Sequence, residues 1–514
     1  MPGLDRNFVQ EINWEQALNN VVADTRSDFI LAPHYGAIFS QNATNFIDRT
    51  CSDLRNGRYE PRLPITMSVP KGSLLTRPGS ILEPTDRLIH QALIEQAIPR
   101  MEEQIDRSRS FSHVPSTTPG SLFRHSQACW SAFQGAVAEI CDNSAFVIRS
   151  DVANYFETIP QHALINLMHG SAVPGEIVNL VEAQLLSFRQ QSSFGIIQGI
   201  FPSDYLGNFY LIDFDGDCAL KNLPSARYVD DIFIGAQSET EAKRVLVSIV
   251  SRLRLNGLSL NDRKTSILSS DDVRFEEGEV DALFDAARAE IENELDDIQQ
   301  GGYGFQGDWI NGSEVEIDDD EIQVEAVKRL LDFETEDESQ REKIDRFCIP
   351  ILRAAHDEYA LDHAIRSIAD RPQLTRLYAA YISRFAPSNA DAVTQIENQI
   401  QTDNFITDYE RMYAMAAILN TEAITRNTTR KAIEWLESAS VVPATRALAA
   451  IFISKFGSAN EKRRVRLRYE NETSEFVRSA LLYSASYFPS AERRAMKQAW
   501  AGHSAVNSLI GETI

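Results

Sequence analysis

The sequence predicts an α+β N-terminal region followed by an all-helical C-terminal region. Three observations predict it. Between residues 62 and 268, short alternating apolar stretches broken by Pro, Gly and Asn-Asp are interspersed with helical patterns. From Arg341 onward helical patterns are separated only by short polar turns. In the first region, Arg227-Tyr228-Val229-Asp230-Asp231-Ile232-Phe233-Ile234 sets two adjacent aspartates between apolar and β-branched residues. That pattern reads as strand, tight turn and strand, with the carboxylates at the tip. Two like charges in a buried hairpin repel and cost desolvation energy, so a cation such as Mg²⁺ would relieve them. A solvated Asp-Asp turn accounts for the pair equally well.

Length and composition bound the rest. A chain of 514 residues is too long for one core, so two or three domains are expected. Hydrophobic content of 43% and a mean hydropathy of -0.27 fit a soluble globular protein. No apolar run is long enough to span a bilayer, and MPGLDRNFVQEINW lacks the pattern of a signal peptide. The expectation is a cytoplasmic protein with no membrane partner. Cys51, Cys129, Cys141, Cys218 and Cys348 are scattered without a CxxC pair, which suggests reduced thiols and argues against zinc. The formal net charge of -24 argues against a general nucleic-acid binder. It does not exclude a locally positive cleft.

The elements follow in order. Residues 1–60 look helical, with patterned segments near Trp14–Val22 and Asn42–Leu54. RLPITMSVPKGSLLTRPGSIL reads as a β-hairpin, with Lys71 and Arg77 on either side of Gly72 and Ser73. Two such cations can hold a triphosphate, Arg by bidentate contact and Lys as a point charge; ordinary hairpin solvation explains them as simply. Thr85 is a fitting N-cap for an amphipathic helix running to Glu103. Over residues 107–136, Arg107, Arg109, Arg124, His113 and His125 are interleaved with Phe111, Phe123, Trp130 and Phe133. This suits a backbone-tracking surface with stacking platforms, or a core helix with a basic edge. Phe146–Arg149 reads as a short strand with Asp151 at its end. Gln198-Gly199 and Pro202-Ser203 mark a loop, and Asp204–Leu220 reads as a helix. Ser238–Leu255 is a strongly amphipathic helix, and LSLNDRKTSIL reads as strand, turn and strand with Lys264 near the turn.

Taken together, these stretches resemble the ordered motifs of reverse transcriptases. Lys71 and Arg77 resemble the fingers residues that grip the incoming triphosphate. SDVANYF resembles motif A, QGIFPSDYLGNFYLIDFD motif B, RYVDDIFI motif C and LNDRKT motif D. The resemblance covers residues 62–268 in the family's order. The NAxxH and VTG signatures of retron enzymes are absent, and no intron-type endonuclease region follows. With its long helical C-terminal part, the chain most resembles bacterial phage-defence reverse transcriptases of the abortive-infection type and their "unknown group" relatives.

That resemblance implies a right-hand polymerase fingers and palm over 1–270, followed by an all-α HEAT-like repeat domain over 341–514. Between them, residues 271–340 form an acidic connector in the place of a thumb. It implies a DNA polymerase that uses dNTPs and two Mg²⁺ ions, acts in antiviral defence and assembles as a homo-oligomer, with synthesis that could be template-independent or protein-primed. An RNA template or a noncoding RNA and a DNA product would be its nucleic-acid partners. Asp151, Val152, Asp230 and Asp231 would surround the metal ions. Lys71, Arg77, Tyr155, Phe156, Gln198 and Gly199 would bind the nucleotide, with Phe156 excluding a ribose 2′-OH. Lys264 would be a catalytic proton donor to pyrophosphate, or simply a solvated turn lysine. If synthesis starts from a protein tyrosine, Tyr35 is the first candidate and Tyr59 the second. Two alternatives remain: a retron-like or intron-derived enzyme copying a dedicated RNA, and a catalytically silent protein that binds partners through its helical half.

Overall fold

Alternating apolar residues build two separate sheets in the computed structural model, which describes residues 6–72, 75–274, 324–332, 335 and 337–514. Most of the acidic connector expected over 271–340, with its Gly-rich stretch, lies outside the described residues. The first sheet is the expected hairpin, β1 (Ile65–Lys71) paired antiparallel with β2 (Leu75–Ile81). The second has four antiparallel strands: β3 (Phe146–Asp151), β4 (Ser225–Tyr228), β5 (Asp231–Ala236) and β6 (Ser266–Ser269), in the order β4-β5-β3-β6. Its period-two pattern is used on both faces. Ile148, Ile232 and Ile234 join the main core, whereas Val147, Ala226 and Phe233 pack against Phe133, Val137 and Ile140 of the helix Ser126–Asn143.

Three local expectations shift. The helix expected from Thr85 begins at Pro84, with Glu83 in the capping position; proline's fixed φ and missing N–H suit the first helical turn. The single helix expected over 204–220 is two, Phe201–Tyr210 and Ile212–Leu220, with Leu211 capping the first. The strand ending before Asp151 includes it.

The C-terminal region is a two-layer stack of helix pairs. Thr375–Phe385, Asp408–Ala417, Pro443–Phe456, Glu475–Tyr483 and Ala505–Thr513 follow one another in an inner layer. Leu361–Asp370, Ala390–Thr402, Arg426–Glu437 and Ala459–Asn471 form an outer layer. The inner layer rests on β1 and on the helix Pro33–Gln41, so its helices are covered on both sides. Pro443–Phe456 (PATRALAAIFISKF) is accordingly apolar almost all round. Polar ties cross the same boundary. Arg376 Nη1 donates to the Ser27 carbonyl (2.9 Å), Arg49 Nη1 to Ser508 Oγ (2.9 Å), and Arg62 pairs with Glu475 (2.9 Å).

One of these ties has a pH signature. Glu83, paired with Arg62 at 3.2 Å, lies where burial pushes its carboxyl pKa up to about 8. The folded pKa is therefore above the unfolded value. Its contribution to stability is full below about pH 4.5 and is lost as pH rises through about 8. Glu83→Gln should raise the melting temperature at pH 9 by several degrees and leave it unchanged at pH 5. Equal shifts at both pH values would show that Glu83 titrates normally.

Candidate active site

The sheet register brings the acidic motifs together. Asp151, the last residue of β3, stands directly opposite Asp231, the first of β5, and Asp230 lies in the turn before it. The backbone seals this end: Val152 N–H donates to the Asp230 carbonyl (3.3 Å) and Asn261 N–H to the Asp151 carbonyl (2.7 Å). Lys264 Nζ donates to Asp151 Oδ1 (3.1 Å) and Asn261 Nδ2 to Asp151 Oδ2 (3.1 Å). Motif D therefore reaches motif A directly. Burial, then Asp231 and Asp151, push the Asp230 carboxyl up to about 7. Burial and then Asp151 also raise Asp231, while Lys264, Arg149 and Lys71 act in the opposite direction. Lys71 on the fingers hairpin thus bears electrostatically on Asp231.

The tip of this hairpin is strained and braced. Val229 has φ +56°, a conformation that a β-branched residue adopts only when its surroundings impose it. Its N–H donates to Ser112 Oγ (3.1 Å), and its carbonyl accepts from Arg227 Nη1 (3.3 Å). Ser112 Oγ, Ser110 Oγ and Arg227 Nη1 all donate to Asn208 Oδ1, at 3.0, 2.7 and 2.6 Å. Arg227 completes the network with Asp215, its Nη2 2.7 Å and its Nε 2.8 Å from the carboxylate oxygens. Arg227 and Asp215 are both buried.

A cleft beside the carboxylates is lined by Phe156, Gln198 and Gly199, three of the expected nucleotide residues. Phe29, His113, Asp204 and Val229 complete its wall. Gly199 has φ +83°, and a Cβ there would stand 2.8 Å from the Phe29 ring. Gly207 makes room for Phe156: a Cβ there would lie 2.9 Å from Phe156 Cε1. His113 Nε2 is 3.8 Å from Asp204 Oδ2. Burial lowers the His113 pKa to about 4 and raises that of Asp204 well above its ordinary value.

Several expected residues are placed elsewhere. Tyr155 is not among the residues lining the cleft; it is buried, and its hydroxyl donates to the Gly207 carbonyl (2.5 Å). Arg107 is held by Glu102 (2.7 Å) and by the Ser110 and Ser112 carbonyls, so it braces the loop beneath the hairpin. Arg109 pairs with Asp106 (3.2 Å) and donates to the Leu223 carbonyl (2.7 Å). These two arginines stabilise the fold instead of lining a nucleic-acid track. Tyr35 is buried against His34 and Phe476, on a helix that packs against the C-terminal helices. Enclosed there, it is not presented as a primer. Tyr59 is buried too, its hydroxyl donating to Asp86 Oδ1 (2.6 Å).

The residues missed in the sequence divide by whether they left a signal. Asp204, Asn208 and Asp215 sit inside the motif B stretch, where polar residues on an apolar helical pattern were the available signal. Phe29 and Ser112 belong to segments distant in sequence and carried none.

The chain thus combines an antiparallel sheet, carrying carboxylates from β3 and from the β4–β5 turn at one end, with a separate cation-bearing hairpin. Residues 69–283 match the family described as "Reverse transcriptase (RNA-dependent DNA polymerase)". The chain therefore carries a reverse transcriptase domain, that of an RNA-directed DNA polymerase and nucleotidyltransferase. No curated protein matches the sequence. Among solved structures it is similar to telomerase from Candida albicans in complex with a TWJ fragment of telomeric RNA, at 11% identity and a TM-score of 0.31, covering 70% of this chain and 65% of that one. Telomerase from Candida tropicalis in the corresponding complex gives 12% identity and a TM-score of 0.32, covering 76% of this chain and 64% of that one. In these two alignments the chain spans slightly less than two thirds of the telomerase chains. Among the described residues no helix is long and apolar enough to cross a membrane.

Proposed function

We propose that this chain is a DNA polymerase that adds dNTPs to a growing strand and serves in antiviral defence against bacteriophage. The observation that carries the polymerase reading is the register that sets Asp151 opposite Asp231, with Asp230 in the adjoining turn. The chemistry of the donor set fits two Mg²⁺ ions: three hard carboxylates, two with raised pKa values. Among the described residues no three such groups stand at ligating spacing around one point, and Asp151 Oδ1 accepts from Lys264 Nζ at 3.1 Å. Asp151, Asp230 and Asp231, with the Val152 carbonyl, would hold the ions. When bound, they supply Lewis-acid stabilisation of the attacking and leaving oxygens.

The chain's own groups do the rest. Lys71 and Arg77 hold the triphosphate, and Gln198 and Gly199 form the floor on which the nucleotide pairs. Lys264, whose Nζ reaches Asp151 Oδ1, would give a proton to pyrophosphate. Synthesis copies an RNA template or noncoding RNA, or proceeds without a template. The defence role rests on the resemblance and on the helical stack that follows the palm, which we read as HEAT-like repeats. Self-association into a homo-oligomer belongs to the same reading.

Mg²⁺-dependent incorporation of labelled dNTPs by the purified chain tests the polymerase, and phage plating on cells expressing it tests the defence role. Incorporation without protection would remove the defence role alone. Sugar choice gives a finer test. Phe156→Ala should relax the preference for dNTP over rNTP by about tenfold or more, because the ring's steric exclusion of a 2′-OH is lost. An unchanged preference in an active variant would return Phe156 to a packing role.

A further inference from the structure

Phe29 lies far from every motif in sequence, yet four elements meet on it. Its ring lines the cleft with Phe156, Gln198 and Gly199. The Arg77 guanidinium lies over that ring, 4.6 Å from its centroid. The ring also occupies the space that any side chain at position 199 would need. The segment carrying it is tied down from two directions. Arg87, on the helix Pro84–Glu102, donates to Asp24 Oδ2 (2.7 Å) and Asp28 Oδ1 (3.0 Å), and Asp24 also accepts from the Phe201 N–H (2.9 Å) at the start of the motif B helix. From the C-terminal stack, Tyr413 donates its hydroxyl to the Phe29 carbonyl (3.3 Å), and Arg376 donates to the carbonyls of Ser27 (2.9 Å) and Arg26.

We propose that Phe29 is a nucleotide-positioning residue, seated by Arg376 and Tyr413, and that the C-terminal helical stack thereby forms a working part of the nucleotide pocket. This rests on the reading of the cleft as the dNTP site. Phe29 supplies a flat apolar wall for the nucleoside and a cation–π seat that aims Arg77 at the triphosphate. The helical stack needs no contact with substrate to act, because it holds the backbone from which the wall projects. A ligand that shifts the inner layer would move the wall with it.

The test uses the full chain and steady-state incorporation of each dNTP with Mg²⁺. Phe29→Leu keeps an apolar side chain but removes the flat face. It should raise the dNTP KM by about tenfold, with the loss falling on KM more than on kcat, as expected for a lost stacking contact. Phe29→Tyr should restore most of it. Arg376→Gln and Tyr413→Phe, which leave the cleft lining intact, should each raise KM in the same direction. Combined with Phe29→Leu, neither should add its full effect, because all three act through one wall. A KM for Phe29→Leu within about twofold of the parent would overturn the proposal, such a change being below the worth of one stacking contact. Unchanged KM in both Arg376→Gln and Tyr413→Phe would overturn the part given to the helical stack. If the parent incorporates no dNTP, the polymerase reading fails, and the wall is then tested by binding. A rise in melting temperature with dNTP and Mg²⁺ that Phe29→Leu abolishes supports it. An equal rise in both proteins, or none in the parent, overturns it.

Discussion

Asp230→Asn abolishes dNTP incorporation, by at least about 10³-fold, while the protein stays folded. Metal-borne charge stabilisation is worth several kcal/mol, and each ~1.36 kcal/mol is a factor of ten in rate. The direction of the stability change follows from the surroundings. Asp230 is pushed up to about 7 by burial first and by its two carboxylate neighbours next. Replacing it with a neutral amide of the same shape removes that repulsion, so the metal-free variant should be at least as stable as the parent above pH 7. The paired outcome, lost activity with retained or increased stability, separates a catalytic carboxylate from a structural one. Incorporation at parental levels by soluble Asp230→Asn would sink the two-metal reading. Loss of both activity and fold would assign Asp230 a structural role instead.

The parts legible in the sequence are those whose signal is local. The hairpin carrying Lys71 and Arg77, the strand ending in Asp151 and the turn at Asp230 each announce themselves within a dozen residues, by alternation and turn chemistry. The meeting of the last two in one sheet, with the hairpin in another, was legible only from the order of the motifs. What the sequence hid is whatever depends on pairing at a distance. Nothing in Ser112 foretells that it accepts from Val229 N–H, 117 residues later. Nothing in RSRSF indicates that Arg107 and Arg109 turn inward to carbonyls and carboxylates, since a basic residue near an aromatic looks the same whether it faces solvent or a buried loop. The positive φ of Val229 was invisible for the opposite reason: β-branched residues argue for strand, and here the tertiary network overrides that preference.

The C-terminal region shows the same division. Its helices were legible from periodicity and their stacking in pairs was expected from the resemblance, but no repeat period in the sequence marks the individual pairs. The structure supplies a physical reason. Inner-layer helices pack on the N-terminal half as well as on one another, so their faces are shaped by unlike neighbours, β1 in one place and the helix Pro33–Gln41 in another. Those different contacts call for different side chains, so no common pattern is expected.

Arg227→Met should destabilise the protein by about 3–5 kcal/mol, the usual cost of leaving one partner of a buried ion pair uncompensated. Arg227 and Asp215 are 1% and 2% exposed, and every polar atom of the guanidinium is engaged: Nε and Nη2 with Asp215, Nη1 with Asn208 Oδ1 and the Val229 carbonyl, Nη2 also with the Asn208 carbonyl. Without the arginine, burial leaves Asp215 to take up a proton or to open the site to water, and either costs stability. The double variant Arg227→Met with Asp215→Leu should recover much of the loss, because an apolar pair of similar volume replaces the ion pair without an orphaned charge. Activity should not recover with it. The Val229 carbonyl still lacks its donor, and the strained turn that aims Asp230 is freed to relax. Denaturant unfolding and dNTP incorporation measured on the same three proteins decide the matter. A single variant destabilised by less than about 1 kcal/mol would mean that the pair is not holding the fold, since that is the range of exposed ion pairs. A double variant that regains both stability and activity would mean that Arg227 serves packing alone, and that Ser112 and Asn208 suffice to hold the hairpin tip.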